Sequence, residues 1–312
     1  MSAPIRLATR ASALAMAQSS QVAADLTSRC GREVELVHVV TRGDLDPSPL
    51  ATMGGEGVFV AAVREALLRG EADIAVHSLK DLPTAEHGGL VLAAVPPRAD
   101  ARDVLCARDG LMLHELPEGS RVGTGSPRRT AQLLALRPDL HVVPVRGNVG
   151  TRLALVTAGD VDAVVLARAG LARLSLLAAV TEVFDPLAML PAPAQGALAV
   201  ERAVGHDDDV LTQALRALDD PVTRAAVTAE RSLLAALEAG CSAPVGAYAD
   251  VDGDGGQGSE VYLRAVVVSV DGAQSVRMSI TGPLVDAVDL GRRLADDMIA
   301  EGASGLMGER VP

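Results

Sequence analysis

The chain contains two copies of one β/α unit, and this internal repeat limits its fold more than any other feature. Each copy reads as a strand, a turn with hydroxyl and basic side chains, a helix, a second strand, and later a helix that leads into a buried strand. Two such copies predict two similar α/β domains. The matching segments are 5–18 with 121–132, 34–44 with 140–148, and 66–76 with 153–165.

Proline-rich segments fall between the copies and suggest how the chain passes from one domain to the other. Pro96-Pro97 and the run from Leu190 to Ala194 would form paired crossovers, so that the residues after 196 return to the first domain. From about residue 218 the pattern matches neither copy. It predicts a helix over 222–239, strands around a Gly/Asp-rich hairpin, and a last helix near 284–301, which indicate a small α+β domain. The predicted domains are 1–97 with 196–217, 98–195, and 218–312.

Composition and charge narrow the class of ligand. With 49% hydrophobic and 22% charged residues, the chain of 312 residues is typical of globular proteins. No apolar run approaches the roughly 18 residues that a membrane span needs. The N-terminus lacks a signal-peptide core, so we expect a cytoplasmic protein without membrane contacts. A formal charge of -12 and only four aromatic residues disfavour nucleic acid and anionic lipid as partners.

Local clusters of arginine point instead to a small anionic ligand. The turn Thr124–Arg129 opens a helix, where backbone N–H groups, hydroxyls and guanidinium groups can bind an anion. Arg146 and Arg152 follow the next strand, and Arg10 with Ser12 stand at the matching place of the first copy. Because ligands of open α/β sheets bind beyond the carboxyl ends of the strands, these turns predict a cleft between the two domains. For a single turn, a capped helix with solvated arginines is the alternative.

The turn after the third strand contains an unusual cation. The stretch Asp73–Pro83 reads as a short buried strand that runs into a polar turn closed by proline. Lys80 in this turn is the only lysine of the chain, and the other 27 of the 28 Lys and Arg residues are arginine. An ammonium next to the Asp81 carboxylate suggests a site that the planar guanidinium fork of arginine could not serve. An ordinary surface Lys-Asp turn is the alternative.

Three widely separated cysteines indicate neither a disulfide framework nor a zinc motif. Cys30 and Cys106 are interpreted as small apolar core residues. Cys241 differs, because Gly240 and Pro244 fix a tight turn that suits a reactive or modified thiol. The six histidines show no ligand-like spacing, and His77 is interpreted as a structural strand-end residue, so no metal site is predicted.

With these residues identified, the chain resembles the hydroxymethylbilane synthase (porphobilinogen deaminase) family over essentially its whole length. Seven ordered motifs at family-like spacing carry the resemblance: Ala8–Ser12, Val40–Asp44, His77–Pro83, Gly123–Arg129, Arg146–Arg152, Gln195–Ala197 and Gly240–Gly246. The resemblance implies two periplasmic-binding-protein-like (type II) α/β domains forming a cleft, plus a small α+β C-terminal domain.

The resemblance also implies an activity. Such a protein would be a transferase that condenses porphobilinogen units head to tail, with loss of ammonia, and releases the linear tetrapyrrole hydroxymethylbilane. Elongation would start on a dipyrromethane cofactor joined to Cys241 through a thioether. Each porphobilinogen carries two carboxylates, which the arginine-rich turns could bind. We expect a monomer whose partner is porphobilinogen.

The family's functional positions match individual residues of this sequence. Asp81 matches the catalytic aspartate, whose carboxyl group would accompany protonation of the leaving amine and stabilise the cation that forms. Cofactor contacts match Cys241, Lys80, Ser78, Thr124, Ser126, Arg128, Arg129 and Arg152. Substrate contacts match Arg10, Ser12, Arg146, Arg173, Gln195 and Phe59.

Two interpretations from other classes stay open. A non-catalytic anion-binding or sensor protein could use the same two-domain cleft, but it would not need Cys241. A thiol enzyme could use Cys241 as its nucleophile, but no paired histidine is evident. The sequence also departs from the family pattern at four positions near the matched residues, which leaves loop contacts open: Thr52, Glu56, Gly125 and Leu155.

Overall fold

The computed structural model describes residues 3–39, 60–205, 208–239, 243–256 and 258–307. The chain divides into two compact units, Met1–Arg98 with Ala197–Arg224, and Ala99–Gly196 with Ala225–Pro312. The first unit therefore includes a segment from beyond the middle of the chain. The division into three domains stays a prediction. Within the described residues, no helix has both the length and the apolar character that crossing a membrane requires.

Strands and helices are numbered in chain order. The strands are β1 (Ile5–Arg10), β2 (Val34–Val39), β3 (Ile74–Ser78), β4 (Leu90–Ala94), β5 (Asp103–Ala107), β6 (Arg121–Gly123), β7 (His141–Val143), β8 (Ala163–Ala167), β9 (Glu182–Val183), β10 (Leu198–Ala203), β11 (Val245–Asp252), β12 (Glu260–Val268) and β13 (Ser275–Pro283). The helices are α1 (Ala13–Cys30), α2 (Ala61–Leu68), α3 (Pro127–Leu136), α4 (Val149–Thr157), α5 (Arg168–Arg173), α6 (Asp209–Leu218), α7 (Pro221–Ala236), α8 (Ala287–Ala300) and α9 (Ala303–Leu306).

The first unit is built on a five-stranded sheet in the order β2-β1-β3-β10-β4. β1 runs parallel to β2 and β3, whereas β10 runs antiparallel to β3 and β4. α1 begins where the Ser12 hydroxyl accepts a hydrogen bond from the Ala15 N–H, and it ends at Gly31, whose φ of +66° suits a residue without a side chain. One face of the sheet packs against α1 and α6 through apolar residues that include Ile5, Leu7, Val22, Ile74, Val76 and Leu211.

The second unit contains a sheet of the same pattern, in the order β7-β6-β8-β5-β9. β6 runs parallel to β7 and β8, and β5 runs antiparallel to β8 and β9. β5 thus takes the place that β10 has in the first sheet. The repeat detected in the sequence therefore corresponds to two sheets of identical strand order and direction. The core of the second unit includes Leu105, Val122, Leu133, Val165 and Met189.

The C-terminal part of the second unit is a three-stranded antiparallel sheet, β11-β12-β13, covered by α7 and α8. The two helices cross closely at Gly291, where an added Cβ would lie 2.4 Å from the Ala229 carbonyl oxygen. At the start of β11, Gly246 makes a similar close approach to Leu190, whose carbonyl oxygen would lie 2.8 Å from an added Cβ. The α+β character expected for this part of the chain is confirmed.

Some element boundaries differ from the expected ones for local reasons. α7 ends at Ala236 rather than near residue 239, because Glu238 adopts a φ of +49°, which no helix continues. α8 begins at Ala287 rather than near residue 284, since Leu284–Asp286 form a 3₁₀ turn after Pro283. The apolar periodicity also predicts a helix from Val58 to Arg69. α2 is described from Ala61, and Val58 lies outside the described residues.

Candidate active site

The turn after β3 is held at both ends by buried leucines. Leu79 is 0% exposed, and its backbone N–H donates to the Ala197 carbonyl oxygen over 3.0 Å. The N–H of Leu82, which is also buried, donates to the Leu79 carbonyl oxygen over 3.2 Å. A 3₁₀ turn, Leu79–Asp81, lies between these anchors. The pattern apolar-Lys-Asp-apolar therefore leaves Lys80 half-buried and Asp81 exposed on a fixed turn.

Four of the predicted site residues of the first unit line one concave surface. Arg10 ends β1 and Ser12 caps α1, so both stand where the chain leaves the first strand of the sheet. Ser78 ends the neighbouring strand β3, and Asp81 follows it. Parallel strands end at the same edge of a sheet, which is why residues far apart in sequence meet here. The surface is lined by Arg10, Ser12, Leu14, Ala15, Gln18, Val60, Val76, His77, Ser78 and Asp81.

A buried ion pair lies next to His77, one of the residues that line this surface. The Arg64 guanidinium donates to both carboxylate oxygens of Glu201, over 2.9 and 2.7 Å. The His77 Nε2 lies 3.3 Å from Glu201 Oε2. Burial alone would raise the pKa of Glu201, but His77 and Arg64 outweigh it and lower that pKa to about 2. Glu201 is therefore an ionised carboxylate that links β10 to β3 and α2.

The second unit also has a polar turn at the end of its first strand. Ser126 caps α3 by accepting the Arg129 N–H over 3.5 Å, and Pro127 occupies the first helical position. The Thr124 Oγ1 accepts the Ser126 N–H over 3.2 Å. The helix is therefore capped, as the structural alternative expected. The two arginines after Pro127 are buried, however, so they are not the solvated side chains of that alternative.

Asp103 is the centre of a buried charge cluster in the second unit. It is 0% exposed, and its two carboxylate oxygens accept hydrogen bonds from Arg128 over 2.7 Å and from Arg129 over 2.7 Å. The Gln195 amide also donates to Asp103, over 2.8 Å. Burial would raise the pKa of Asp103, but the two guanidinium groups hold it well below its ordinary range. One carboxylate thus faces two guanidinium groups, and the cluster keeps an excess positive charge.

The remaining donors of these arginines show where a ligand could bind. The Arg128 guanidinium also donates to the Leu190 carbonyl oxygen over 2.6 Å, and that of Arg129 to the Val165 carbonyl oxygen over 3.0 Å. The Arg128 Nε is buried and has no hydrogen-bond partner in the described ranges. A buried donor without a partner is costly, so it marks a place where a ligand acceptor would be favourable.

Three further arginines extend the positive charge of the second unit. The Arg152 Nε donates to the Gly147 carbonyl oxygen over 2.9 Å. Burial, and then the charges of Arg129 and Arg146, lower the pKa of Arg152, which indicates that the three guanidinium groups lie near one another. Arg173 donates to the Gly196 carbonyl oxygen over 2.8 Å, and its Nε is buried without an acceptor among the described residues.

Several predicted positions lie outside the described residues, namely Cys241, Phe59, Thr52 and Glu56. The segment after Cys241 is described from Ala243. There Gly246 packs against Leu190, and the Leu190 carbonyl oxygen also accepts from Gln132 over 2.9 Å. Within the described ranges, no three His, Cys, Asp or Glu side chains converge as a metal site requires.

The sequence analysis missed Asp103, Glu201 and Gln18. Asp103 begins the otherwise apolar strand β5, Glu201 directly follows the apolar residues Leu198–Val200 of β10, and both are almost fully buried. An acidic residue in such a segment needs a cationic partner, and this signal could have identified both. Gln18 lies on the buried face of α1 with Val22 and Leu26, where a polar side chain indicates a specific hydrogen bond.

Comparison with known proteins covers nearly the whole chain. Residues 5–212 match the family model described as porphobilinogen deaminase, dipyromethane cofactor binding domain, and residues 224–300 match the porphobilinogen deaminase C-terminal domain. Porphobilinogen deaminase 1 of Streptomyces coelicolor is 58% identical over 315 residues, which cover 98% of both chains. Porphobilinogen deaminase of Thermobifida fusca is 54% identical over 313 residues, which cover 98% of this chain and 96% of the relative.

The chain is also similar to a solved periplasmic domain. The VFT2 domain of Bordetella pertussis BvgS superposes with a TM-score of 0.43 at 18% identity, over 73% of this chain and 91% of that domain.

Proposed function

The chain belongs to the porphobilinogen deaminase family, and we propose that Asp81 is the carboxylic acid that drives its reaction. The protein is a transferase that condenses porphobilinogen units head to tail with loss of ammonia, elongates them on a dipyrromethane cofactor, and yields the linear tetrapyrrole hydroxymethylbilane. Its fold class is the expected one, with two type II α/β parts and a small α+β C-terminal part.

Each coupling step breaks one bond of the substrate and forms another. The C–N bond of the aminomethyl group breaks, the electron pair leaves with ammonia, and a positive charge develops on the methylene and the pyrrole ring. A new C–C bond then forms to the free α-carbon of the growing chain, which loses a proton. That proton balances the one that the departing amine takes up. The residue that assists must therefore support proton transfer to the departing amine and stabilise a cation. One carboxyl group can do both.

The position of Asp81 is the observation that carries this proposal. Leu79 and Leu82 anchor the turn on both sides, so Asp81 is held at the sheet edge although its side chain is exposed. Arg10 and Ser12 line the same surface. A carboxylate fixed beside cationic and hydroxyl groups supports the binding of a zwitterionic substrate, whose carboxylates would pair with Arg10 and whose amine would face Asp81.

The second unit offers groups that fit the cofactor. When bound, the dipyrromethane supplies the pyrrole α-carbon to which the first porphobilinogen molecule is added. Its acetate and propionate groups need several cationic donors. The excess positive charge around Asp103 and the Arg128 Nε, which has no partner among the described residues, could meet that need. We propose that its carboxylates are bound by Lys80, Ser78, Thr124, Ser126, Arg128, Arg129 and Arg152, and that Cys241 forms the thioether.

For the substrate we propose contacts from Arg10, Ser12, Arg146, Arg173, Gln195 and Phe59. The buried Nε of Arg173, which lacks a partner among the described residues, supports a ligand contact for this side chain. Gln195 supports the proposal less directly, because its amide donates to Asp103 and to the Ala101 carbonyl oxygen. Its role is therefore to hold the arginine cluster in place, as much as to contact substrate.

The assignment of Asp81 is tested by replacing it with alanine. General acid–base assistance contributes about 10²- to 10⁴-fold, so turnover of porphobilinogen by Asp81→Ala should fall by about a thousandfold. Asp286→Ala is a matched control, because Asp286 is an exposed aspartate that ends a 3₁₀ turn, as Asp81 does. Thermal unfolding should be alike in both variants. If Asp81→Ala turned over at a rate near that of the wild type, Asp81 would not be the acid.

The cofactor attachment is tested by intact-protein mass spectrometry. The purified protein should be heavier than its sequence by one dipyrromethane, and the Cys241→Ser variant should have the sequence mass and no activity. Cys30→Ser is the control, since the Cys30 thiol donates to the Leu26 carbonyl oxygen inside the first unit. An unmodified and inactive wild-type protein that stays unmodified after incubation with porphobilinogen would contradict the attachment.

We also propose that the enzyme is a cytoplasmic monomer, with residues 218–312 as a third domain that carries Cys241. Free thiols at Cys30 and Cys106 suit a reducing compartment. Burial raises the pKa of the Cys106 thiol to about 11, so this thiol is unreactive. Light scattering coupled to size exclusion should give a mass near the 32.0 kDa of one chain. A mass of two chains would contradict the monomer.

A further inference from the structure

A buried amide on α1 contacts the strand-end turn of the first unit directly. Gln18 lies in the second turn of α1 and is 5% exposed. Its Nε2 donates a hydrogen bond to the Ser78 Oγ over 2.8 Å. Both residues line the surface that includes Asp81. Ser78 is one of the residues proposed to bind the cofactor, so Gln18 is in direct contact with a proposed site residue.

This hydrogen bond determines what the Ser78 hydroxyl can offer a ligand. A hydroxyl has one proton to donate and lone pairs that accept, whereas an amide N–H can only donate. Ser78 Oγ is therefore the acceptor toward Gln18, and its own proton must point to another partner. Within the part of the chain that the structure describes, Ser78 makes no other side-chain hydrogen bond. The proton is thus available to a ligand on the surface.

The packing of α1 restricts the position of the Gln18 side chain. Ser19, the next residue, is fully buried and donates to the Thr9 Oγ1 over 2.7 Å, which fixes the helix against β1. Val22, one helical turn further on, packs in the core of the first unit. Because its neighbours hold α1 in place, the Gln18 amide is a rigid donor, and rotation away from Ser78 would leave a buried polar group unsatisfied.

We propose that Gln18 is a positioning residue that keeps Ser78 a hydrogen-bond donor, so that Ser78 binds a carboxylate oxygen of the pyrrole chain and not a pyrrole N–H. The inference rests on the proposed function, since both kinds of group belong to the ligand assigned there. Arg10 on the same surface favours a carboxylate at this place, because a guanidinium and a hydroxyl donor bind the same anion together.

A double-mutant cycle tests whether Gln18 acts through Ser78. The variants are Gln18→Leu, Ser78→Ala and both together, each prepared as cofactor-loaded enzyme, with kcat and KM measured for porphobilinogen. A hydrogen bond to a charged group corresponds to about a tenfold effect or more, so each single variant should lose about tenfold in kcat/KM. The double variant should be no slower than Ser78→Ala, because the Gln18 effect needs the hydroxyl. A loss of about a hundredfold in the double variant would overturn the inference.

Gln18→Glu provides a sharper test with nearly unchanged size. The ionised carboxylate has no N–H, so it would accept a hydrogen bond from the Ser78 hydroxyl and leave only the lone pairs of that hydroxyl for a ligand. We expect Gln18→Glu to be at least as impaired as Ser78→Ala. Because burial of the new carboxylate should lower the unfolding temperature, activity is compared where circular dichroism shows both variants to be folded. Gln21→Leu and Gln21→Glu are matched controls on the exposed side of the same helix, and both should leave kcat and KM unchanged. Wild-type activity of Gln18→Glu would overturn the inference.

The outcomes separate this inference from the proposed function. If Ser78→Ala had wild-type kcat and KM, the hydroxyl would bind no ligand, and both the inference and the placement of Ser78 in the site would be wrong. If Ser78→Ala were impaired but the cycle showed independent effects, only the role of Gln18 would be wrong. The Asp81→Ala result is independent of both.

Discussion

The two α/β units are built alike at the amino ends of their strands and differently at the carboxyl ends. At the amino end of β1, the Arg6 N–H donates to Asp73 over 2.8 Å, and the Arg6 side chain donates to the carbonyl of the glycine three residues before that aspartate. At the amino end of β6, the Arg121 N–H donates to Asp162 over 2.6 Å, and its side chain makes the corresponding glycine contact. These repeated contacts join the first strand to the turn before the third strand in both units.

The carboxyl ends of the same strands have diverged. After β3 the chain forms a 3₁₀ turn with Lys80 and Asp81, whereas after β8 it enters α5 at Arg168. The antiparallel strand of each sheet also carries a buried acid, but Glu201 pairs with one arginine and Asp103 with two. The first unit thus presents a carboxylate on a fixed turn, and the second accumulates positive charge. We therefore propose that the amino ends preserve the fold and that the carboxyl ends carry the chemistry.

The largest effect on stability is expected at Asp103. Its replacement in Asp103→Asn leaves Arg128 and Arg129 buried without a counter-charge, which should lower the unfolding free energy by about 3 to 5 kcal/mol. Urea unfolding measures this loss, and intact mass measures how much cofactor the protein retains. Asp109→Asn, an exposed aspartate of the same unit, should change stability by less than about 0.5 kcal/mol. A loss below about 1 kcal/mol in Asp103→Asn would mean that the cluster does not organise the second unit.

Glu201 provides the matching test in the first unit, with a smaller effect. In Glu201→Gln the amide oxygen can still accept from Arg64, so we expect a loss of about 2 kcal/mol at pH 7. The effect depends on pH because the folded-state pKa of Glu201, about 2, lies below its unfolded value of 4.5. Its contribution is therefore fully present above pH 4.5 and is lost as the pH falls toward 2, by about 3 kcal/mol in total.

Urea unfolding of the wild type and Glu201→Gln between pH 6 and pH 3 checks this prediction. The two stability curves should converge as the pH falls, because only the wild type loses the ionised carboxylate. Parallel curves over this range would show that Glu201 is not the group whose pKa is lowered.

Much of the fold could be predicted from the sequence because it rests on local periodicity and on an internal repeat. The helices and the strands of both copies follow from the periodicity of the sequence. The strand order then brings together four residues at one sheet edge, namely Arg10, Ser12, Ser78 and Asp81. The ends of α7 and α8 could not be predicted, since they depend on the φ of Glu238 and on the turn after Pro283.

The surroundings of the arginines were not predictable in the same way. The turn Ser126–Arg129 indicates a capped helix and an anion site equally well, because both need the same residues. The side chains of Arg128 and Arg129 are buried on account of Asp103, which reaches them only through the antiparallel pairing of β5 with β8. Such a pairing between strands about 60 residues apart is not encoded in local periodicity.

A smaller effect is expected when Lys80, the only lysine, is replaced by arginine, the cation that this chain uses elsewhere. Lys80→Arg keeps the charge but replaces a compact ammonium by a planar fork on a half-buried turn, so turnover should fall about tenfold with unchanged unfolding. Arg168→Lys changes the basic residue that directly follows β8 in the second unit, where the partly buried guanidinium lies 3.1 Å from the Asp100 carboxylate. That reverse exchange should leave turnover unchanged. Full activity of Lys80→Arg would show that the turn after β3 needs no ammonium group, so that the two units would not differ in this requirement.

The smallest effects are expected at the amino ends, where the two units are built alike. Arg6→Ala and Arg121→Ala each remove a half-exposed or exposed guanidinium but leave the backbone N–H bond to the aspartate intact. Exposed contacts of this kind contribute about 0.2 to 1 kcal/mol, and the two variants should agree within that range. Turnover should be unchanged, because neither side chain lies at a carboxyl strand end. If one variant lowered kcat tenfold while the other did not, chemistry would not be confined to the carboxyl ends, and the division between the two ends of the sheets would fail.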